Sequence, residues 1–247
     1  PRSGKYYRVT QNEFLLEPSL LFPVGPQGVV SLGPTLRYVT TDDRSDRFLA
    51  TVDPYGDGQF GQVGARLGAT LDTRDRRNAA TRGVLLTVGG SAYPGWWDVR
   101  RAYGEAHGEV ATYLSASLPL DPTLALRVGG KKLWGPYPYF DAAFIGGRST
   151  VRLGRENRYA GDASSYASAE LRLALGHYFL GAAGDFGVFG LADAGRVYLA
   201  GEESRKWHGA GGGGVWFSLL DRANTLSLAL AHGEERTRLY VQAGFGF

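Results

Sequence analysis

In the stretch RLYVQAGFGF, residues 238–247, the odd positions are Leu239, Val241, Ala243, Phe245 and Phe247, and the even ones Tyr240, Gln242, Gly244 and Gly246. A period of two sends successive side chains to opposite faces of a strand. One face is then apolar and the other small or polar. The same pattern recurs upstream. NTLSLALAHG (224–233) sets Leu226, Leu228 and Leu230 against Ser227, Ala229 and Ala231, and YASAELRLAL (166–175) sets Leu171, Leu173 and Leu175 against Glu170 and Arg172. A soluble β-sandwich or lipocalin-like barrel alternates as well, so strand length and the chemistry of the second face must decide between them.

Eleven strands are readable, near 12–23, 28–40, 60–74, 83–94, 104–118, 122–134, 164–176, 185–199, 207–220, 224–233 and 236–247. Globular strands average about 5–6 residues; a tilted membrane strand needs about 9–11, and most of these exceed that. The second face carries Arg66, Glu105, Glu109, Glu170, Arg172, Asp193 and Gln242 in mid-strand. In a sealed dry core each ionised group would need a partner or cost several kcal/mol, whereas the lumen of a membrane barrel accepts them. Short turns at 22–28, 118–123 and 219–224 alternate with longer stretches at 41–59, 95–103 and 135–163, which is the asymmetry between the two ends of an outer-membrane barrel. The expected fold is all-β: a transmembrane antiparallel β-barrel, residues 1–247 as one domain. About 12 strands are expected, the twelfth from residues 4–10 (GKYYRVT), unless the chain is the C-terminal part of a larger barrel. Aromatics at 94–99, 133–140, Trp207 and Trp216 read as interface girdles.

Composition closes off other classes. The 247 residues include 37 Gly, 14 Tyr and 12 Phe but no Cys and no Met, with a net charge of +3. Without cysteine there is no disulfide framework and no thiolate metal site. The missing Met points to a processed protein or a fragment. No window approaches the ~20 apolar residues of a membrane helix, which leaves crossing by strands open. His107, His177, His208 and His232 lack metal-ligand spacing. GAGGGG (209–214) lacks the Lys-Ser/Thr of a phosphate loop and is expected to permit strand curvature or close approach. There is no Gly-x-Ser-x-Gly elbow. No catalytic residue, metal site or cofactor is expected, the chain is not read as an enzyme, and nucleic acid is not an expected partner.

FIGGRSTVRLGRENRYAGD, residues 144–162, departs from alternation: it carries Arg148, Arg152, Arg155 and Arg158 among its glycines. With the following strand it resembles the inward-folded loop of the BamA-like, or eighty-five-kilodalton, superfamily of outer-membrane barrels. The matching positions are Gly146, Gly147, Val151, Arg152, Arg158, Gly161, Asp162, Glu170, Leu171 and Arg172. Where that family has Gly after the motif arginine, this chain has Leu153, with Gly154 one place later, so the tip is expected to turn differently. FGLADAGRVY (189–198) resembles the family strand whose aspartate receives the loop arginine, which implies pairing of Arg152 with Asp193. LDTRD (71–75) resembles a family strand end, and the terminal GFGF the aromatic signal read by barrel-assembly machinery, here Tyr240, Phe245 and Phe247.

The resemblance implies an integral protein of the bacterial outer membrane, in contact with its lipid, with loop 135–163 folded into the lumen. It also implies a role in inserting or translocating polypeptide, with periplasmic domains upstream of Pro1. A barrel that anchors or exports a fused phosphoesterase or patatin-like lipase, and a plain diffusion porin, are the alternatives.

Overall fold

The computed structural model describes residues 6–42, 47–179, 181–203 and 205–247. Its strands are β1 (Gln11–Leu16), β2 (Leu20–Val24), β3 (Gly28–Thr41), β4 (Gln59–Asp72), β5 (Gly83–Tyr93), β6 (Tyr103–Ser115), β7 (Thr123–Trp134), β8 (Ala143–Ile145), β9 (Tyr159–Gly161), β10 (Ala163–Phe179), β11 (Ala183–Tyr198), β12 (His208–Leu219), β13 (Asp221–Gly233) and β14 (Thr237–Ala243). Twelve belong to one sheet, in the order β1-β3-β4-β5-β6-β7-β10-β11-β12-β13-β14 with β2 also paired to β3, while β8 and β9 pair with each other. Strand order follows chain order except at β2, which shares β3 with β1, and at the β8–β9 insertion. Among the described residues β1 and β14 are not paired, so the sheet is not closed.

Burial identifies the two faces. On β13, Leu226 and Leu230 are 46% and 57% exposed, while Ser227 and Ala231 are 1% and 0%. On β10, Leu171 is 48% exposed and the neighbouring Glu170 0%. A soluble sheet would bury the leucines. Here the apolar side chains stand outside and the small and charged ones inside, the arrangement that hydrocarbon favours when backbone groups are satisfied strand to strand. The strands reach 17 residues in β10 and 16 in β11, paired in an antiparallel ladder from Ala163↔Tyr198 to Phe179↔Ala183 with one bulge between Ala174 and Gly176. Among the described residues no helix is long and apolar enough to cross a membrane.

Contacts divide the chain into two compact units. The first comprises Pro1–Ala69, Val88–His107 and Lys132–Ala142; its core is Val39, Phe60, Tyr93, Val99, Tyr103 and Phe140. The second comprises Thr70–Thr87, Gly108–Lys131 and Ala143–Phe247, and holds three clusters: around Trp216, around Tyr113, and around Ile145 with Val151 and Leu153.

Three expectations are corrected. The strand expected at 12–23 is broken: β1 and β2 both pair with β3, and Glu17–Ser19 lies between them. Pro18 has no N–H for the ladder, and Arg66 fills the break by donating to Ser19 Oγ at 2.5 Å and the Glu17 carbonyl at 3.1 Å. The count of twelve therefore comes from this split. Residues 4 and 5 lie outside the described residues, and 6–10 form a turn and an irregular stretch.

The strand expected at 236–247 stops at Ala243. Gly244 takes φ +81, a left-handed conformation that glycine adopts without strain, and its N–H bonds to the Thr225 carbonyl at 2.7 Å. Phe245 and Phe247 leave the outer face on which Leu239 and Val241 stand.

Of the aromatics expected in girdles, Trp96, Trp97, Trp134 and Trp207 are exposed, whereas Trp216 is 4% exposed and cannot serve there. Its indole N–H donates to the Leu173 carbonyl at 3.2 Å. Tyr139 and Phe140 likewise belong to an inner aromatic cluster rather than a girdle.

Candidate functional site

The site grows from the insertion between β7 and β10. β8 and β9 form a short hairpin, Ala143↔Gly161 to Ile145↔Tyr159, where the sequence suggested no strand at all. Gly146 and Gly147 have φ +119 and +91, and the Gly146 N–H reaches Thr150 Oγ1 at 2.8 Å, which turns the chain off the hairpin. At the tip the Leu153 N–H bonds to the Val151 carbonyl at 2.7 Å, a three-residue γ-turn centred on Arg152. Val151 and Leu153 are buried with Ile145 and Ala210, so two apolar pegs flank one charged side chain. The left-handed turn falls at Gly154, φ +83. Its carbonyl accepts from Arg238 Nη1 at 2.8 Å and its N–H lies 3.2 Å from the Tyr240 hydroxyl.

Arg152 reaches Asp193 as a fork. Nε donates to Oδ2 at 2.6 Å, Nη2 to Oδ1 at 2.7 Å, and the Arg152 backbone N–H to Oδ2 at 3.0 Å. Its remaining nitrogen, Nη1, donates to Glu170 Oε1 at 2.7 Å. The other oxygen of Glu170 accepts from Arg172 Nη2 at 2.7 Å and Nε at 3.1 Å. The β10–β11 register explains this convergence: Ser168 lies opposite Asp193, and Glu170 and Arg172 follow at intervals of two on the same face. Arg152, Glu170, Arg172 and Asp193 are all 5% exposed or less. Two cations and two anions form a neutral buried quartet, in which each carboxylate oxygen has a charged donor.

The chain end covers this quartet. Arg172 Nη2 donates to the Phe247 carbonyl at 2.9 Å, and its guanidinium lies 4.0 Å from the centre of the Phe245 ring. Phe245 meets Phe189 and Trp216 edge-on, and Phe247 lies under Arg127 at 4.8 Å. A Cβ on Gly246 would stand 2.6 Å from Glu170 Oε1 and 2.9 Å from Arg152 Nη1. The backbone approaches the ions as closely as a glycine allows.

The other motif residues are placed as follows. Arg158 is bound at the rim: its Nε donates to Glu235 at 2.8 Å and its Nη2 pairs with the same oxygen. That hydrogen bond holds the Glu235 carboxyl below the ordinary glutamate range. Burial alone would raise Glu234, but hydrogen bonds from His208 and Tyr159 bring it below as well. Asp162 Oδ2 accepts the Ala200 N–H at 2.6 Å, fixing the entry to β10. Arg148 is exposed, and Arg155 is only 3.6 Å from Glu235 at its Nε. Asp72 and Arg74 of the LDTRD stretch form their own pair at 2.8 Å. In GAGGGG, Gly212 and Gly214 face β13 backbone that a Cβ would strike at 2.0 Å, so these two serve strand packing. Among the described residues no His/Cys/Asp/Glu group could hold a metal ion.

The motif reading did not assign Glu170 as a second acceptor for Arg152, nor the tail as a cover. Glu170-x-Arg172 on the polar face was the available signal. The strand register that aligns it with Asp193 was not legible.

No curated protein matches the chain. The crystal structure of BamA from Haemophilus ducreyi lacking POTRA domains 1–3 is similar in fold, with a TM-score of 0.65 and 13% identity over 95% of this chain and 55% of that one. The chain thus spans about half the length of that structure. The Omp85 superfamily domain matches residues 2–215, a range that holds the loop and all four members of the quartet. The chain belongs to the Omp85 superfamily of outer-membrane proteins.

Proposed function

We propose that residues 1–247 are one integral barrel domain of the bacterial outer membrane that inserts or translocates polypeptide, with loop 135–163 docked in its lumen as the controlling element. The observation behind this reading is the neutral quartet. A loop that only decorated the surface would leave its arginines solvated, whereas Arg152 is 3% exposed and fully bonded to strand carboxylates. Such a loop narrows the lumen when docked and opens it when released. The reading calls for periplasmic domains upstream to recruit substrate. It also has barrel-assembly machinery recognise Tyr240, Phe245 and Phe247 before the tail folds over the quartet.

The test uses the full-length protein in liposomes with an unfolded eight-stranded outer-membrane protein as substrate. Faster folding of that substrate, or its passage across the bilayer, supports the proposal, provided Arg152→Ala diminishes it. If neither occurs, the polypeptide-handling role is refuted. A large steady conductance unchanged by loop deletion would then identify a porin, and a silent barrel an anchor.

A further inference from the structure

We infer that Asp141 is a second positioning residue of the inserted loop, acting through a socket made by Arg37, Gln62 and Tyr103. The inference rests on the reading of 135–163 as a docked loop. Asp141 ends the 3₁₀ turn Tyr139–Asp141 and is 7% exposed. Its Oδ1 accepts from Arg37 Nη1. Its Oδ2 accepts from Gln62 Nε2 at 3.1 Å and from the Tyr103 hydroxyl at 2.5 Å. The partners come from β3, β4 and β6. Arg37 is itself held by Glu13 at 2.7 Å, and its guanidinium lies 4.8 Å from the centre of the Phe140 ring. The neighbouring Tyr139 hydroxyl is 2.8 Å from Thr41 Oγ1 and 3.0 Å from Gln11 Nε2.

An aspartate at a loop entrance is ordinarily hydrated. Burying its carboxylate costs several kcal/mol unless the charge is met, and here both oxygens are met by side chains of three strands. The arrangement reverses the chemistry at Arg152. At the tip the loop supplies the cation and the strands the anions; at residue 141 the loop supplies the anion and a strand the cation. The loop is thus tethered at two points eleven positions apart in sequence. Asp141 lies outside every motif match, and its role follows from its contacts alone.

Residues 1–247 hold no cysteine, so Ala142→Cys and Ile145→Cys each place a single thiol in this domain, at positions 8% and 0% exposed, any cysteine elsewhere in the full-length protein being changed to serine beforehand. Maleimide labelling rates would be measured on the full-length protein in liposomes, with heat-modifiable gel mobility confirming that each variant is folded. Asp141→Ala is expected to speed labelling at both positions by roughly tenfold or more, as local opening becomes easier. Asp141→Asn, which keeps an acceptor but loses the charge, should give an intermediate rate and serves if the alanine variant does not fold. Unchanged rates overturn the inference, as does a rise confined to position 142, which would make Asp141 a local core contact. If Ile145→Cys in the otherwise unaltered protein labels as fast as an exposed thiol, the docked-loop reading fails instead, whatever Asp141 does.

Discussion

Arg152→Ala is the sharpest test of the quartet. The side chain supplies two hydrogen bonds to Asp193 and one to Glu170. Its removal leaves Asp193 with only the backbone N–H of residue 152, at 3.0 Å, and changes the buried charge from zero to −1. Deleting one partner of a buried ion pair costs about 3–5 kcal/mol, because the remaining charge stays desolvated. Arg155 is the control: it is 38% exposed at the side chain and 3.6 Å from Glu235, and exposed pairs contribute about 0–1 kcal/mol. At about 2–4 °C per kcal/mol for a chain of this size, Arg152→Ala should lower the melting temperature by roughly 6–20 °C and Arg155→Ala by a few degrees at most. Heat-modifiable gel mobility of the micellar protein reads both. Arg152→Lys retains a charge but not the planar fork and should fall between. Equal losses from the two alanine variants would show that Arg152 is not buried and bonded as described, and the argument for a docked loop would go with it.

Reversing both charges, Arg152→Asp with Asp193→Arg, should depart from the sum of the single changes by more than about 0.5 kcal/mol, as contacting residues do; additive losses would mean no contact. Gly246→Ala should push the tail off the quartet, since its methyl would meet Glu170 Oε1 at 2.6 Å. An overpacking cost of about 1–3 kcal/mol is expected, with a shift in emission from the buried Trp216 beside Phe245; unaltered emission and stability would place the tail elsewhere. The Arg158–Glu235 contact should weaken in acid. A carboxylate held low in the folded state contributes its stability above the ordinary glutamate value of about 4.3, and loses it as pH falls from there through the lowered value. Protection from hydrogen exchange in the β8–β9 hairpin, corrected for the intrinsic rate, should therefore fall below about pH 4.3 in the unaltered chain, less so in high salt, and Arg158→Ala should reduce that dependence to the part carried by Glu234, which accepts from Tyr159 of β9; a pH response undiminished by the substitution would assign all of it to another group.

The fold was legible because hydrocarbon imposes a strict rule on strands. Leu226, Leu228 and Leu230 could only be one face, and the charges at Glu170, Arg172 and Asp193 could only be the other. The pairing of Arg152 with Asp193 was suggested by motif order, not by periodicity. Three features stayed hidden for distinct physical reasons. Pro18 interrupts an otherwise alternating run, and alternation does not register a missing donor. Gly244 permits a left-handed turn without requiring one, so the inward fold of Phe245 and Phe247 depends on the pocket formed by Phe189, Trp216 and Arg172. Asp141 sits in a polar, aromatic-rich stretch that reads as loop, and its socket comes from residues 38 to 104 positions away in sequence. Contacts of that range are set by register, which a single sequence leaves open.

An ionic anchor differs from an apolar one in its dependence on water. Without the loop, the strand wall would present Glu170, Arg172 and Asp193, a net charge of −1 in a recess that excludes solvent. Docking Arg152 restores neutrality there, and the attraction is strong because the site is dry: a pair 4 Å apart interacts by about 4 kcal/mol at an effective dielectric of 20 but about 1 kcal/mol in bulk water. The tail maintains that dryness, since Phe245 and Phe247 lie against Arg172 and Gly246 lets the backbone close over Glu170 and Arg152. Loop and tail therefore depend on each other. Lifting the tail admits water and weakens the Arg152 pairs without touching their atoms, while withdrawing Arg152 leaves an unpaired carboxylate beneath the tail that water is drawn in to hydrate. Ions separated but still dry are the costly arrangement, so the Arg152 pairs and the tail over them should be lost together rather than one at a time.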